Sequence, residues 1–382
     1  MITCLALRAD IPVAIGMAFT GPIQSLTPSM ANAAELAIKQ ANESGLFRGG
    51  ERIVAQKVDT TCHDADKAVS HMRQAFQTKP FQFMIGPNCS GVVRALLKSV
   101  LKPYQILAIS PSVTLPIWSV SAEGLLFRTV PSEDRIAELM IDKLKQSGHN
   151  KISVVTMNNG YGKAWAQALD HHASLQGLIV SQSYGYEDDG DQAVQNTLQA
   201  LSKDHAEVLV IVGSVDRNGV NILSELLKKG QYQTIVLSDG MIDDALYKKV
   251  TPALLDQSQV WAWVPVMAGN HDAMTRFSKI FNQANAPYVA ESYDASALLI
   301  LGMAKATSLT PHHVAQALFE LTQGEGEAIY PGEMAKGLAA INAGKPIHYR
   351  GVTDVSFKSS KSGDIKGRYQ LVEAKSSGFV KS

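Results

Sequence analysis

The chain has 382 residues, 46% hydrophobic and 18% charged, with 35 basic and 35 acidic side chains. That length accommodates two domains with full cores, and the balanced charge without a basic run offers no evident partner surface for nucleic acid or an anionic membrane. The longest apolar runs, such as 297–304, fall far short of the roughly 20 residues of a membrane span, so a small neutral or zwitterionic ligand fits this composition best.

The N-terminal MITCLALRADIPVAIG lacks a basic n-region. It reads as a truncated secretory signal or appended sequence, with the mature fold starting near Asp10. Cys4 sits in a poor match to a lipoprotein cleavage box. A buried strand is expected over Ile11 to Phe19, then a helix over Met30 to Asn42 with Ala34, Ala37, Ile38 and Ala41 on one face. Strand Ile53 to Val58 leads through Thr60, Thr61 and Cys62 to a helix over Asp64 to Phe76. Strand Phe83 to Ile85 stops at Gly86 and Pro87. Ser90 and Gly91 then open a helix with Val93, Leu96, Leu97 and Val100 at helical spacing, closed by Pro103. Strand Ile106 to Ile109 ends in Ser110, Pro111, Ser112, Val113 and Thr114, which supply hydroxyls and free backbone amides. This βαβαβαβ order specifies a parallel sheet with crossover helices, whose carboxyl edge is the usual binding edge. A helix N-terminus at Ser90 suits a carboxylate there. Read alone, Ser90 is equally a helix cap and Ser110 to Thr114 a plain loop.

Cys62 and Cys89 each follow a predicted strand end, and adjacency of those strands brings them together as a disulfide. Closing about 27 residues is worth roughly 3–4 kcal/mol and implies an oxidising compartment. Two free buried thiols in a cytosolic protein are the alternative.

After Leu125 to Val130 and a helix over Ile136 to Ser147, the pattern restarts. Strands are expected at 152–156, 178–182, 208–212 and 234–237, and helices at 163–175, 193–201, 220–229 and 242–249. An aromatic strand over Trp261 to Val266 precedes helices at 271–284, 292–306, 311–321 and from about 331 to 341. Without strong strands between them, these helices cover an existing sheet, so the chain returns to the first domain. The end, GVTDVSFKSSKSGDIKGRYQLVE, reads as a β-hairpin turning near Lys361 to Asp364.

There is no dinucleotide fingerprint, phosphate loop, nucleophile elbow or metal-spaced Cys/His cluster. The pairs His171–His172 and His312–His313 read as solvated helix surface. Tyr161 in NNGYG and Asp239 in LSDG each follow a strand, so topology places both on a binding edge. A carboxylate there pairs with an ammonium group, worth about 1.5–3 kcal/mol when shielded. As plain structure, Asp239 is a cap for the helix over 242–249 and Tyr161 a packing residue.

Taken together, FTGP at 19–22 followed by AAELAIKQAN, IGPNCS at 85–90, ISPSVT at 109–114, NNGYGKA at 158–164, LSDG at 237–240 and the tail IHYRGVTDVSFKSSKSGDIKG resemble the type I periplasmic binding proteins. The resemblance is to the branched-chain amino-acid (Leu/Ile/Val) binding family of ABC transporter receptors, over nearly the whole chain from Ile11. It implies an α/β fold of two Rossmann-like, doubly wound parallel-sheet lobes joined by three hinge crossings, with the ligand between them. The lobes are expected as 1–130 with 265–352, and 131–264 with 353–382. By position, Ser90, Thr114 and the backbone around Ser112 and Val113 would hold a ligand α-carboxylate, and Tyr161 and Asp239 the α-ammonium. Leu26 and Val215 fall where family members often carry aromatic residues, which implies a changed side-chain site, and Asp239 replaces the more common glutamate. The resemblance also implies a Cys62–Cys89 disulfide, a periplasmic location, an ABC permease partner, a monomer, and neither catalysis, metal nor cofactor. The nearest rival is a sensing domain of the same fold reading amides or urea compounds. A dinucleotide-dependent enzyme, a different class, lacks its glycine fingerprint here.

Overall fold

The computed structural model describes residues 10–116, 122–187, 190–265, 271–365 and 369–381. The N-terminal stretch before Asp10, Cys4 included, lies outside them. The chain divides into two compact units, Met1–Pro131 with Met267–Lys366 and Ser132–Val266 with Gly367–Ser382, so it passes between them three times.

The first unit opens with β1 (Asp10–Met17), α1 (Thr27–Ser44), β2 (Arg52–Asp59), α2 (Ala65–Thr78), β3 (Phe83–Ile85) and α3 (Ser90–Leu96). The helix runs on through a π turn at Leu97–Leu101 into α4 (Lys102–Tyr104), so Pro103 lies inside its last turn rather than beyond it. β4 (Leu107–Ser110) and β5 (Leu126–Arg128) complete a five-stranded sheet in the order β2-β1-β3-β4-β5, parallel throughout. β2 and β3 are therefore not neighbours, as the sequence suggested. β1 lies between them, because a doubly wound sheet starts at its centre and grows both ways.

The second unit runs α5 (Glu133–Gln146), β6 (Lys151–Met157), α6 (Gly160–Leu175), β7 (Ile179–Tyr186), α7 (Asp191–Leu201), β8 (Val208–Val212), α8 (Asn218–Lys229) and β9 (Thr234–Leu237). In place of the helix expected over 242–249 stand a 3-10 turn at Asp239–Met241 and two single turns, α9 (Leu246–Lys249) and α10 (Pro252–Leu255). Asp243 accepts the Ala245 N–H at 2.7 Å, the local side-chain bonding by which aspartate competes with helix. β10 (Gln259–Pro265) follows, and its expected last residue, 266, lies outside the described residues.

Back in the first unit, α11 (His271–Ile280), α12 (Val289–Lys305), α13 (Pro311–Leu321), β11 (Glu327–Ile329), α14 (Met334–Asn342) and β12 (Ile347–Tyr349) follow. α12 is buried along nearly its whole length, packed against α1, β3 and β4; from Ala297 to Met303 it is apolar on every side, as a buried helix requires, and in its first half the buried Asp294 accepts from the Tyr349 and Thr353 hydroxyls. The pair β11–β12 went unread in the sequence because each strand has three residues.

Two expectations about the tail are corrected. Residues 353–365 belong to the first unit, not the second: Phe357 packs edge-on against Phe127 at 4.9 Å and Gly363 bridges Phe127. The hairpin turning near 361–364 is reduced to one antiparallel bridge, Phe357 with Ile365. The real hairpin comes later, β13 (Tyr369–Lys375) with β14 (Gly378–Lys381), and β13 also pairs antiparallel with β10. The second sheet thus reads β14-β13-β10-β9-β8-β6-β7. Among the described residues no helix is long and apolar enough to cross a membrane.

Candidate functional site

In each unit the singled-out residues lie at the carboxyl end of the parallel strands, in the loops there or in the first turn of the helix that follows. In the first unit three such loops are laced together by Asn88. Its side-chain carbonyl accepts the Ala18 N–H at 2.7 Å, and its amide donates to Thr27 Oγ1 at 3.2 Å. The Thr27 hydroxyl in turn donates to Ala18 O at 2.7 Å, and Ser112 Oγ donates to Asn88 O at 2.9 Å. Gly86 makes this closeness possible: its φ is +121°, and a Cβ there would stand 2.0 Å from Gly16 O.

Ser90 is buried and is the first residue of α3; the cap position is Cys89, bonded to Cys62, with Cα atoms 5.3 Å apart. The disulfide thus joins the loops after β2 and β3 across the intervening β1. The amides expected to be free after β4 are partly used: Val113 and Ser112 N–H donate to Ser110 Oγ at 2.9 and 3.4 Å, and Ser110 Oγ donates to Pro87 O at 2.6 Å. Val113 and Thr114 are buried, and Leu26, half-buried, packs on the first unit's core.

Behind this loop stands Arg128, 2% exposed at the end of β5. Its Nη1 donates to Leu115 O at 2.6 Å and to Val113 O at 3.4 Å, and its Nε to Asp364 Oδ1 at 3.0 Å. Burial pushes the Asp364 carboxyl up, but Arg128 and Lys358, whose Nζ donates to Oδ2 at 2.6 Å, outweigh it and hold the group below the usual range.

In the second unit, Asn159 caps α6 by accepting the Gly162 N–H at 3.0 Å, which sets Tyr161 in the first turn. The Tyr161 hydroxyl donates to Asp239 Oδ1 at 2.5 Å, from the loop after β9. Burial, then the Asp239 charge, holds the phenol well above its ordinary range, so it stays a donor. Asp239 is placed by two interlocked loops: Gly213 N–H donates to Ser238 Oγ at 3.1 Å and Val215 N–H to Gly240 O at 3.1 Å. The Val215 side chain belongs to the second unit's apolar core, so this position contributes backbone to the edge.

Chemically, the first unit's edge offers hydroxyls and backbone amides, suited to an anion, and the second's offers a carboxylate braced by a phenol, suited to a cation. Among the described residues no group of three His, Cys, Asp or Glu side chains is placed to hold a metal ion. The His172 expectation of solvated surface is corrected: its Nε2 lies 3.1 Å from Asp134 Oδ1 and the side chain is mostly buried. Sequence reasoning passed over Asn88, Arg128 and Asp364. The signal for Arg128 was there, since a lone cation inside the apolar strand LLFRTV must have a buried partner.

A family profile described as periplasmic binding protein matches residues 10–337. The chemotactic signal transduction system substrate-binding protein BasB of Halobacterium salinarum is 26% identical over 90% of this chain and 82% of its own length. The Leu/Ile/Val-binding protein homolog 1 of Brucella melitensis is 25% identical over 82% of this chain and 83% of its own. Among solved structures, the branched-chain amino acid transporter substrate-binding protein LivJ of Streptococcus pneumoniae, in complex with isoleucine, superposes with a TM-score of 0.74. It is 15% identical over 98% of this chain and 100% of its own.

Proposed function

The chain belongs to the periplasmic binding protein family, and from that premise we propose that it is a periplasmic, monomeric solute-binding protein. It captures a small amino acid, branched-chain or similar, by hinge closure and delivers it to an ABC permease without catalysing a reaction. In this reading Ser90, Thr114 and the Ser112–Val113 backbone take the α-carboxylate, and Tyr161 and Asp239 take the α-ammonium. A ligand that engages groups on both units favours the arrangement in which both reach it, by its difference in affinity for the two states. The observation that carries the reading is the Tyr161–Asp239 pair at 2.5 Å, a carboxylate oriented at the second sheet's edge by a phenol that stays protonated. The Leu/Ile/Val-binding relative and the isoleucine-bound neighbour support the ligand class.

The similarity to a chemotactic binding protein favours keeping a second reading, a sensor of the same fold that reads amides or urea compounds and signals to a partner. Both readings are tested by the melting temperature of ligand-stripped protein against L-amino acids, aliphatic amides and urea. A ligand at about 100 times its Kd adds roughly 2.7 kcal/mol. Stabilisation by apolar L-amino acids is expected. Stabilisation only by amides or urea moves the assignment to the sensor, and no response to any L-amino acid refutes the transport reading.

A further inference from the structure

We infer that Arg128 is a positioning residue for ligand binding: it fixes the carbonyls of the two residues that flank Thr114, with Asp364 as its permanent counter-charge. The inference rests on the proposed role of Thr114 and goes beyond it. The same guanidinium nitrogen grips the carbonyls of Val113 and Leu115, the residues flanking Thr114. The fork's other side, Nε and Nη2, is closed on Asp364 Oδ1. The backbone repeats the attachment, since the Arg128 N–H donates to Gly363 O at 3.1 Å.

This arrangement decides between two roles for a buried arginine near an anion-binding loop. An arginine that met the ligand carboxylate itself would keep its donor fork toward the ligand; here the fork is spent on two carbonyls and a carboxylate. Asp364, itself paired with Lys358, prevents the guanidinium from turning to the ligand. The loop is thereby tied to the segment over 357–365, which lies along β5 through Phe357 and Gly363. The planar, five-donor fork is what lets one side chain hold two carbonyls and a carboxylate together, and a lysine ammonium of equal charge lacks that geometry.

The test uses the full chain carrying Arg128→Lys, and Asp364→Asn as a second variant that keeps the arginine. In ligand-free protein, amide hydrogen exchange of Ser112 to Leu115 should rise at least about tenfold in Arg128→Lys, with the amides of β6, β8 and β9 unchanged. Asp364→Asn should raise exchange in the same four residues. The affinity for L-leucine, read by isothermal titration, should fall about 10- to 100-fold in Arg128→Lys. It should fall less than about threefold further when Arg128→Lys is added to Thr114→Val, because the arginine acts through that residue. Unchanged exchange at 112–115, or an undiminished loss in the Thr114→Val background, overturns the inference. If wild-type protein does not bind L-leucine, the functional reading for that ligand fails, and the exchange comparison alone decides the positioning role.

Discussion

Replacing Cys62 and Cys89 together by alanine tests how much of the loop edge of the first unit's sheet depends on one covalent link. The bridge spans a sequence separation of 27. In the chain-entropy account, releasing a loop of that length costs about 3.5 kcal/mol. For a unit of this size each kcal/mol moves the midpoint by roughly 2–4 °C, so the double variant should melt about 7–14 °C below wild type. The effect should also be local. Cys89 caps α3 immediately before Ser90, and a Cβ on Gly91 would stand 2.4 Å from Cys62 O, so the two loops are in contact where the link holds them. Scanning calorimetry of both proteins measures the midpoint. Thiol titration of denatured wild type should then find one reactive cysteine of the three in the chain, and three after reduction. A midpoint within about 2 °C of wild type, or three free thiols without reduction, refutes the argument.

Glu291 gives a test by pH. Burial first, then the neighbouring Asp294 charge, pushes its carboxyl up to about 7. With the folded value above the unfolded one near 4.5, the contribution of this group is fully present below about pH 4.5 and is lost as pH rises through about 7. The change is roughly 3 kcal/mol. Glu291→Gln should therefore melt higher than wild type at pH 8 and not at pH 5; parallel pH curves would sink the assignment. Asn88→Ala should cost about 2 kcal/mol, or roughly 4–8 °C, because it leaves the Ala18 N–H without its acceptor. A melting curve within about 1 °C of wild type would show that the loops do not depend on this lacing.

The βα alternation was legible because each buried strand is a short apolar run closed by turn residues, and each helix carries one apolar face. Strand order was less legible: nothing local in the sequence says that β1 is central, and the cysteines were brought together over β1 rather than by neighbouring strands. Phe357 and Ile365 alternate like a hairpin, yet Phe357 is taken up by the core against Phe127, a contact between residues 230 positions apart (357 minus 127). The place of Tyr161 and Asp239 at the carboxyl edge of the sheet was legible because each closely follows a strand. Their mutual hydrogen bond was not, since it depends on β6 and β9 both flanking β8. Arg128 was visible as an anomaly, but its partner Asp364 lies 236 residues away in a segment that looked like a surface turn.

The most direct test titrates L-leucine into ligand-stripped wild type and Asp239→Ala side by side by isothermal calorimetry. Loss of a shielded, charge-assisted contact to the ligand ammonium costs about 1.5–3 kcal/mol, so wild type should bind and the variant should bind roughly 10- to 150-fold more weakly, with its fold intact by circular dichroism. Equal affinity in the two proteins would contradict the assignment of Asp239 to an amino-acid ammonium, and with it the central claim.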